Sequence, residues 1–315
     1  KNYSGVNILG LIKGTLYPER YIVLSAHYDH EGVENGQIYN GADDNASGIC
    51  ALFSFIEYFK INPPNHSIIL AAFDAEELGL NGASLFVNEH QWAKDIKIAL
   101  NFEARGSGGP SNMIVETNGG NANLIKGFKE AGVDYPVATS LMYSIYKMLP
   151  NDTDSTVLRE DGNIDGFFFA FIDDHFDYHT TNDTTENLDK NSLEHQGSYL
   201  MPLLKYYADA DLSKVNATED YVYFDAVFIK FMAYPFSWIW PMLILAFILF
   251  IGLIFYGSKK GKINGATVGK GFVVFLVSLI LSGGLLFLLW ELIKLIYPSY
   301  LDMLPGFIYN GHWYI

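Results

Sequence analysis

Residues 21–60 read YIVLSAHYDHEGVENGQIYNGADDNASGICALFSFIEYFK, and this stretch decides the fold. Its opening, 21–28, is an apolar run rich in β-branched residues and bounded by turn signals, which predicts a strand. Its close, 46–60, carries apolar positions at helical spacing and starts beside small residues that suit a helix N-terminus, which predicts a helix. His27 stands near the end of the strand, and the polar loop between the two holds Asp29, Asp43 and Asp44. A strand that feeds a helix through a loop of acids and histidines is the repeating half of an α/β layer.

The alternation continues outward. Strands are predicted at 6–13, 67–73, 96–102, 113–117 and 166–172, and helices near 80–90, 121–131 and 191–210. Short apolar strands alternating with helices imply an α/β three-layer sandwich with a mostly parallel central sheet. In such sheets ligands collect at the carboxyl ends of the strands. No internal repeat or low-complexity tract is present.

The formal charge of -15 belongs to the part before about residue 225, which excludes nucleic acid as a partner. The lone Cys50 has no disulfide partner in the chain and is expected to be a small core residue. Because the chain opens on Lys1-Asn2-Tyr3 and runs at once into a strand, the domain 1–212 is expected to continue a longer protein whose export signal or first span lies upstream.

The remainder is different in kind. Residues 237–256 and 271–290 are uncharged and long enough to cross a bilayer, with Trp238, Trp240, Tyr256, Trp290 and Tyr297 at their margins. The expected organisation is a linker at 213–235, transmembrane helices at 236–256 and 271–296, a cytoplasmic loop at 257–270 and an extracytoplasmic segment at 297–315. Lys259, Lys260, Lys262 and Lys270 mark that loop as cytoplasmic. The acidic domain then lies across the bilayer, in the periplasm or at the surface of a bacterium, or in an organelle lumen of a eukaryote. The lipid bilayer is therefore an expected partner.

Chemistry-bearing residues gather at the predicted strand ends: His27 and Asp29, Glu76 and Glu77, Glu103, and His179, with Asp44 just before the first helix. Catalytic zinc takes imidazole nitrogen and carboxylate oxygen and keeps a position open for water. Asp44, Glu77 and Glu103 with a bridging hydroxide would balance two Zn2+ ions, and His27 and His179 would supply one neutral ligand to each. The His-x-Asp spacing lets Asp29 accept the second ring N–H of His27. Glu76, beside a ligand but free, is then the general base.

The segments HYD, GADDNASG, AEELGLNGA, NFEARG and YHTTNDTTENLD together resemble the co-catalytic di-zinc peptidases related to bacterial leucyl aminopeptidase and aminopeptidase Y, over roughly residues 6–210. The resemblance implies a zinc aminopeptidase/phosphorylase-like sandwich and hydrolysis of peptide substrates, in aminopeptidase mode, by a hydroxide held between two zinc ions. It implies Asp44, not Asp43, as the bridging ligand, Glu76 as base, and His27, Glu77, Glu103 and His179 as the other ligands. The two spans narrow it to the membrane-bound branch that resembles the endoplasmic reticulum metallopeptidase and the vacuolar membrane protease. Two other readings stand beside it: a one-zinc, glutaminyl-cyclase-like acyltransferase, and a receptor-like ectodomain without catalysis.

The segment 148–160 is similar to that branch, and Asp152 and Asp154 either touch substrate or serve a loop or helix cap. His30, His66, His90, His175, His195 and His312 are read as structural. The Asn-x-Ser/Thr triplets at Asn45 and Asn182 are read as chance, because a glycan there would block the site.

Overall fold

The computed structural model describes residues 4–148, 152–226, 228–298 and 300. The chain divides into two compact units, the first ending at Phe236 and the second beginning at Ser237.

The first unit runs β1 (Ile8–Ile12), β2 (Tyr17–His27), a small hairpin of β3 (Val33–Glu34) and β4 (Gln37–Ile38), α1 (Ser47–Phe53), α2 (Ile56–Ile61), β5 (His66–Phe73), α3 (Asn81–Glu89), β6 (Ile96–Ala104), β7 (Asn112–Glu116), α4 (Ala122–Ala131), α5 (Ser140–Met148), α6 (Asp154–Glu160), β8 (Gly166–Phe171), α7 (Lys190–Asp209), β9 (Tyr221–Ala226) and β10 (Ile229–Pro235). Six of these strands form one sheet in the order β1-β5-β2-β6-β8-β7. The inner pairings β5/β2, β2/β6 and β6/β8 are parallel, and the outer strands β1 and β7 run antiparallel to their neighbours.

Side-chain alternation makes the layers. Along β2, Ile22, Leu24 and Ala26 enter one core while Tyr21 and Val23 enter the other. The larger core packs β2, β5, β6 and β8 against α1, α4 and α7, with Phe169 stacked between Phe102 and Tyr199. Phe102, Phe169 and Tyr199 are each 0% exposed, and each such ring contributes roughly 1.5–3 kcal/mol by leaving water. The smaller core, on the opposite face, packs Ala83 and Phe86 of α3 and Leu158 of α6 against the sheet. A strand buried on both faces has no polar stripe, which is why these strands read as near-continuous apolar runs.

Several details differ from expectation. The helix expected over 46–60 is two helices, broken where the Ser54 hydroxyl donates to the Ala51 carbonyl and Phe55 turns fully into the core. Cys50 is exposed, because the inward face of α1 is Gly48, Ala51 and Leu52. The segment 213–235, expected as a linker, carries the hairpin of β9 and β10. Its Tyr223 is 1% exposed and its Phe231 packs on Phe128 of α4, so alternating aromatics fasten it to the larger core. Helices α5 and α6 lie in a stretch for which no helix was expected.

The second unit contains α8 (Ile239–Lys259) and α9 (Gly265–Ile296). The spans Phe236–Lys259 and Gly265–Ile296 are long and apolar enough to cross a membrane. Asn264 caps α9 by accepting from the N–H groups of Ala266 and Thr267, so the non-helical connection is shorter than the expected 257–270 and Lys270 lies inside α9. Of the expected segment 297–315, all but 297, 298 and 300 fall outside the described residues, as do Lys1, Asn2, Tyr3 and His312.

Candidate active site

The site begins with strand register. Ser25 of β2 pairs with Asn101 of β6, and period two puts His27 and Glu103 on the same face one step further along. A chain of hydrogen bonds follows that face. The Ser25 hydroxyl donates to Asn101 Oδ1 (2.6 Å), Asn101 Nδ2 to Glu103 Oε1 (3.1 Å), and Asn45 Nδ2 to Glu103 Oε2 (2.6 Å). His27 Nε2 lies 3.2 Å from Glu103 Oε2 and 3.0 Å from Asp44 Oδ1. The left-handed Gly41 (φ +66) opens the turn that carries Asp44, and a Cβ there would meet the Asp44 carbonyl and the His30 ring.

A second group shares Asp44. His179 Nε2 lies 2.9 Å from Asp44 Oδ2 and 3.1 Å from Glu77 Oε1. The two oxygens of Asp44 thus face different histidines. His179 has φ +53, a left-handed conformation costly for a residue with a Cβ, and its ring stacks on Tyr178 at 3.8 Å. Glu76 and Glu77 follow β5, and the Asp29 carboxylate accepts from their N–H groups at 3.1 and 3.2 Å.

That contact adds to the role expected of Asp29. His27 Nδ1 faces the Asp29 backbone carbonyl at 3.0 Å, while the nearest oxygen of the Asp29 side chain is 3.6 Å away. A carbonyl can only accept, so in the neutral ring Nδ1 carries the proton and Nε2 turns its lone pair toward Asp44 and Glu103. The Asp29 side chain also orients the Glu76–Glu77 backbone.

The electrostatics are those of crowded carboxylates. Burial, then the neighbouring Glu103 charge, pushes the Glu76 carboxyl up to about 9. Burial also raises Glu103. Burial opposes charge on the histidines, yet Glu103, Asp29 and Asp44 hold His27 well above its ordinary value. Against the same burial, Asp44 and Glu77 hold His179 up at about 10. Glu77, buried but bonded to His179 and His30, is held well below the carboxylate range. Such a cluster gathers protons because its anions need compensation, and divalent cations would supply it at the same atoms. Imidazole nitrogens and carboxylate oxygens converge within ligand distance in His27/Asp44/Glu103, in His30/Asp44/Glu77 and in Glu31/Glu77/His179, donor sets that suit zinc.

Some participants escaped the sequence reading. His30, taken as structural, is 8% exposed at its side chain and sets Nδ1 3.2 Å from Glu77 Oε1. Glu31 lies 3.3 Å from His179 Nδ1. Asp183, fully buried, accepts from the N–H groups of Asp43 (2.7 Å) and Asp44 (3.3 Å), joining the loop of His179 to the turn of Asp44. The acidic types of Glu31 and Asp183 were the signal available, but acids in loops are ordinarily solvated. Thr153, not Asp152 or Asp154, caps α6. Asp154 is 0% exposed, its carboxyl oxygens have no hydrogen-bond partner among the described residues, and burial with the Glu103 charge raises it well above the usual range. Asn45 is 1% exposed with its amide spent on Glu103 and the Phe102 carbonyl, so no glycan can sit there.

The model of Peptidase family M28 matches residues 7–204. Endoplasmic reticulum metallopeptidase 1 of Rattus norvegicus is 29% identical over 246 residues, 74% of this chain and 26% of that protein. Vacuolar membrane protease of Debaryomyces hansenii is 32% identical over 198 residues, 61% of this chain and 18% of that protein. The chain therefore spans about a quarter or less of the length of these relatives. Among solved structures, BSAP, a zinc aminopeptidase from Bacillus subtilis, superposes with a TM-score of 0.51 at 24% identity, covering 66% of this chain and 52% of that one. The aminopeptidase from Aneurinibacillus sp. strain AM-1 gives 0.51 at 18% identity, covering 67% and 50%. At these identities the likeness is one of fold.

Proposed function

We propose that this chain, which belongs to peptidase family M28, is a membrane-anchored zinc aminopeptidase with two metal positions and Glu76 as general base. The observation that carries the reading is the division of Asp44, with Oδ1 3.0 Å from His27 Nε2 and Oδ2 2.9 Å from His179 Nε2. A carboxylate aimed at two histidines from its two oxygens suits a ligand shared by two cations. His27, Asp44 and Glu103 would hold one zinc, and Asp44, Glu77 and His179 the other. When bound, the pair would supply Lewis acidity to the scissile carbonyl and a water acidic enough to react near neutral pH.

The remaining work belongs to side chains. Asn101 and Asn45 fix both oxygens of Glu103, and the Asp29 carbonyl fixes the His27 ring. The Asp29 carboxylate holds the peptide that carries Glu76 and Glu77, so Glu77 faces His179 and Glu76 is left free. Glu76 takes the proton of the attacking water and returns it to the departing amine.

Aminopeptidase mode rests on the motif resemblance over the catalytic unit, and membrane anchorage on the two apolar spans. The test is hydrolysis by the detergent-solubilised full chain of aminoacyl anilides, dipeptides and N-acetylated peptides, with zinc and with chelator. Zinc-dependent cleavage that requires a free N-terminal amine is expected. Equal cleavage of N-acetylated substrates would overturn the aminopeptidase mode, and undiminished cleavage after complete zinc removal would overturn the metal chemistry.

A further inference from the structure

The two histidines of the site differ behind their rings. His27 Nδ1 faces a backbone carbonyl, that of Asp29, at 3.0 Å. His179 Nδ1 faces a carboxylate, Glu31 Oε1, at 3.3 Å. Glu31 is reached from the loop that follows β2, four residues beyond His27 in the sequence. Resting on the two-metal reading above, we propose that Glu31 is a positioning residue for His179 and sets the affinity of one metal position independently of the other.

His179 Nε2 is already directed at Asp44 (2.9 Å) and Glu77 (3.1 Å), and one imidazole cannot turn both nitrogens to one ion. Glu31 Oε1 therefore lies on the far side of the ring, 3.3 Å from Nδ1 and within reach of its proton. An acceptor there selects the tautomer with a lone pair on Nε2. A charged acceptor also makes the ring more basic, and so a stronger ligand. The His179 side chain is 32% exposed and sits on a left-handed residue in a loop, so its packing alone does not fix the ring. His27, 1% exposed at the end of β2, needs no such help. His30, one residue before Glu31, bonds Glu77 at 3.2 Å, so the same short segment orients both Glu77 and His179.

The test is chelator competition on the zinc-loaded full chain in detergent, comparing wild type with Glu31→Gln and Glu31→Ala. Wild type is expected to release two zinc equivalents in two steps. Glu31→Gln keeps an oxygen acceptor but loses its charge, and should weaken one step about tenfold. Glu31→Ala loses both, and that step should weaken toward about a hundredfold while the other stays at the wild-type position. Thermal unfolding of the zinc-stripped variants should match wild type, because the role is exerted through the metal ligand. Steps unchanged in both variants would overturn the proposal, as would an equal shift of both. A wild type that binds a single equivalent would overturn the two-metal reading instead. The Glu31 proposal would then stand if the variants weaken that single step and fall if they leave it in place.

Discussion

His27 and Glu103 stand side by side at the ends of adjacent parallel strands, with Nε2 and Oε2 3.2 Å apart, one register step beyond the Ser25–Asn101 hydrogen bond. Both are almost fully buried, and Asn45 and Asn101 hold the carboxylate from two sides. This pair stands on the sheet, whereas Glu77 and His179 are carried on loops.

Metal content tests the pairing. With five expected ligands, more than one tetrahedral catalytic zinc uses, elemental analysis of the zinc-replete chain should give a ratio near two. Glu103→Ala should bring it near one. A wild-type ratio that stays near one would count against Asp44 as a shared ligand and revive the one-zinc, glutaminyl-cyclase-like reading.

Glu76 and Glu77 are neighbours in sequence with separate tasks. Glu76→Gln keeps the size of the side chain but cannot accept a proton, so turnover should fall at least about a hundredfold with both metals retained. Glu77→Gln should lose metal, because the oxygen 3.1 Å from His179 Nε2 no longer carries charge. Near-normal turnover in Glu76→Gln would remove it as the base.

The hairpin of β9 and β10 is part of the catalytic unit. Tyr223 is 1% exposed, and Tyr223→Ala should destabilise that unit by about 3–5 kcal/mol, as for other large aromatic truncations, lowering its thermal midpoint. Phe228, 98% exposed at the turn of the hairpin, should tolerate alanine within about 0.5 kcal/mol. Equal effects at the two positions would return this segment to the status of a linker.

The expected orientation rests on Lys259, Lys260 and Lys262 at the connection between α8 and α9. By the excess of basic residues on the cytoplasmic side, a tag inserted at Gly261 should stay protected in sealed cells or vesicles oriented with the cytoplasmic face inward. The unit ending at Phe236 should be open to added protease. The reverse pattern of digestion would place the peptidase in the cytoplasm.

Much of this was legible in residues alone. Apolar runs with β-branched residues mark strands because a buried strand excludes polar side chains on both faces, and β2, β5, β6 and β8 were read on that ground. The motif-bearing residues could be named because their types, at successive strand ends, are those that a cation demands. Their neighbours could not. Glu31, His30 and Asp183 look like ordinary loop residues until the chain brings them to His179, Glu77 and the Asp44 backbone.

The sequence by itself determined the alternating α/β order, the two apolar spans and the identity of the candidate ligands, because these depend on local periodicity and on residue chemistry. Only the tertiary structure decided which atoms face one another. It gave the Asp29 carboxylate to the Glu76–Glu77 backbone and its carbonyl to His27, and it divided the oxygens of Asp44 between two histidines far apart in the chain. It also folded residues 221–235 onto the larger core. The physical reason is the same throughout: a hydrogen bond or a packed ring is specified by directions in space to within a fraction of an ångström, and separation along the chain carries no such information.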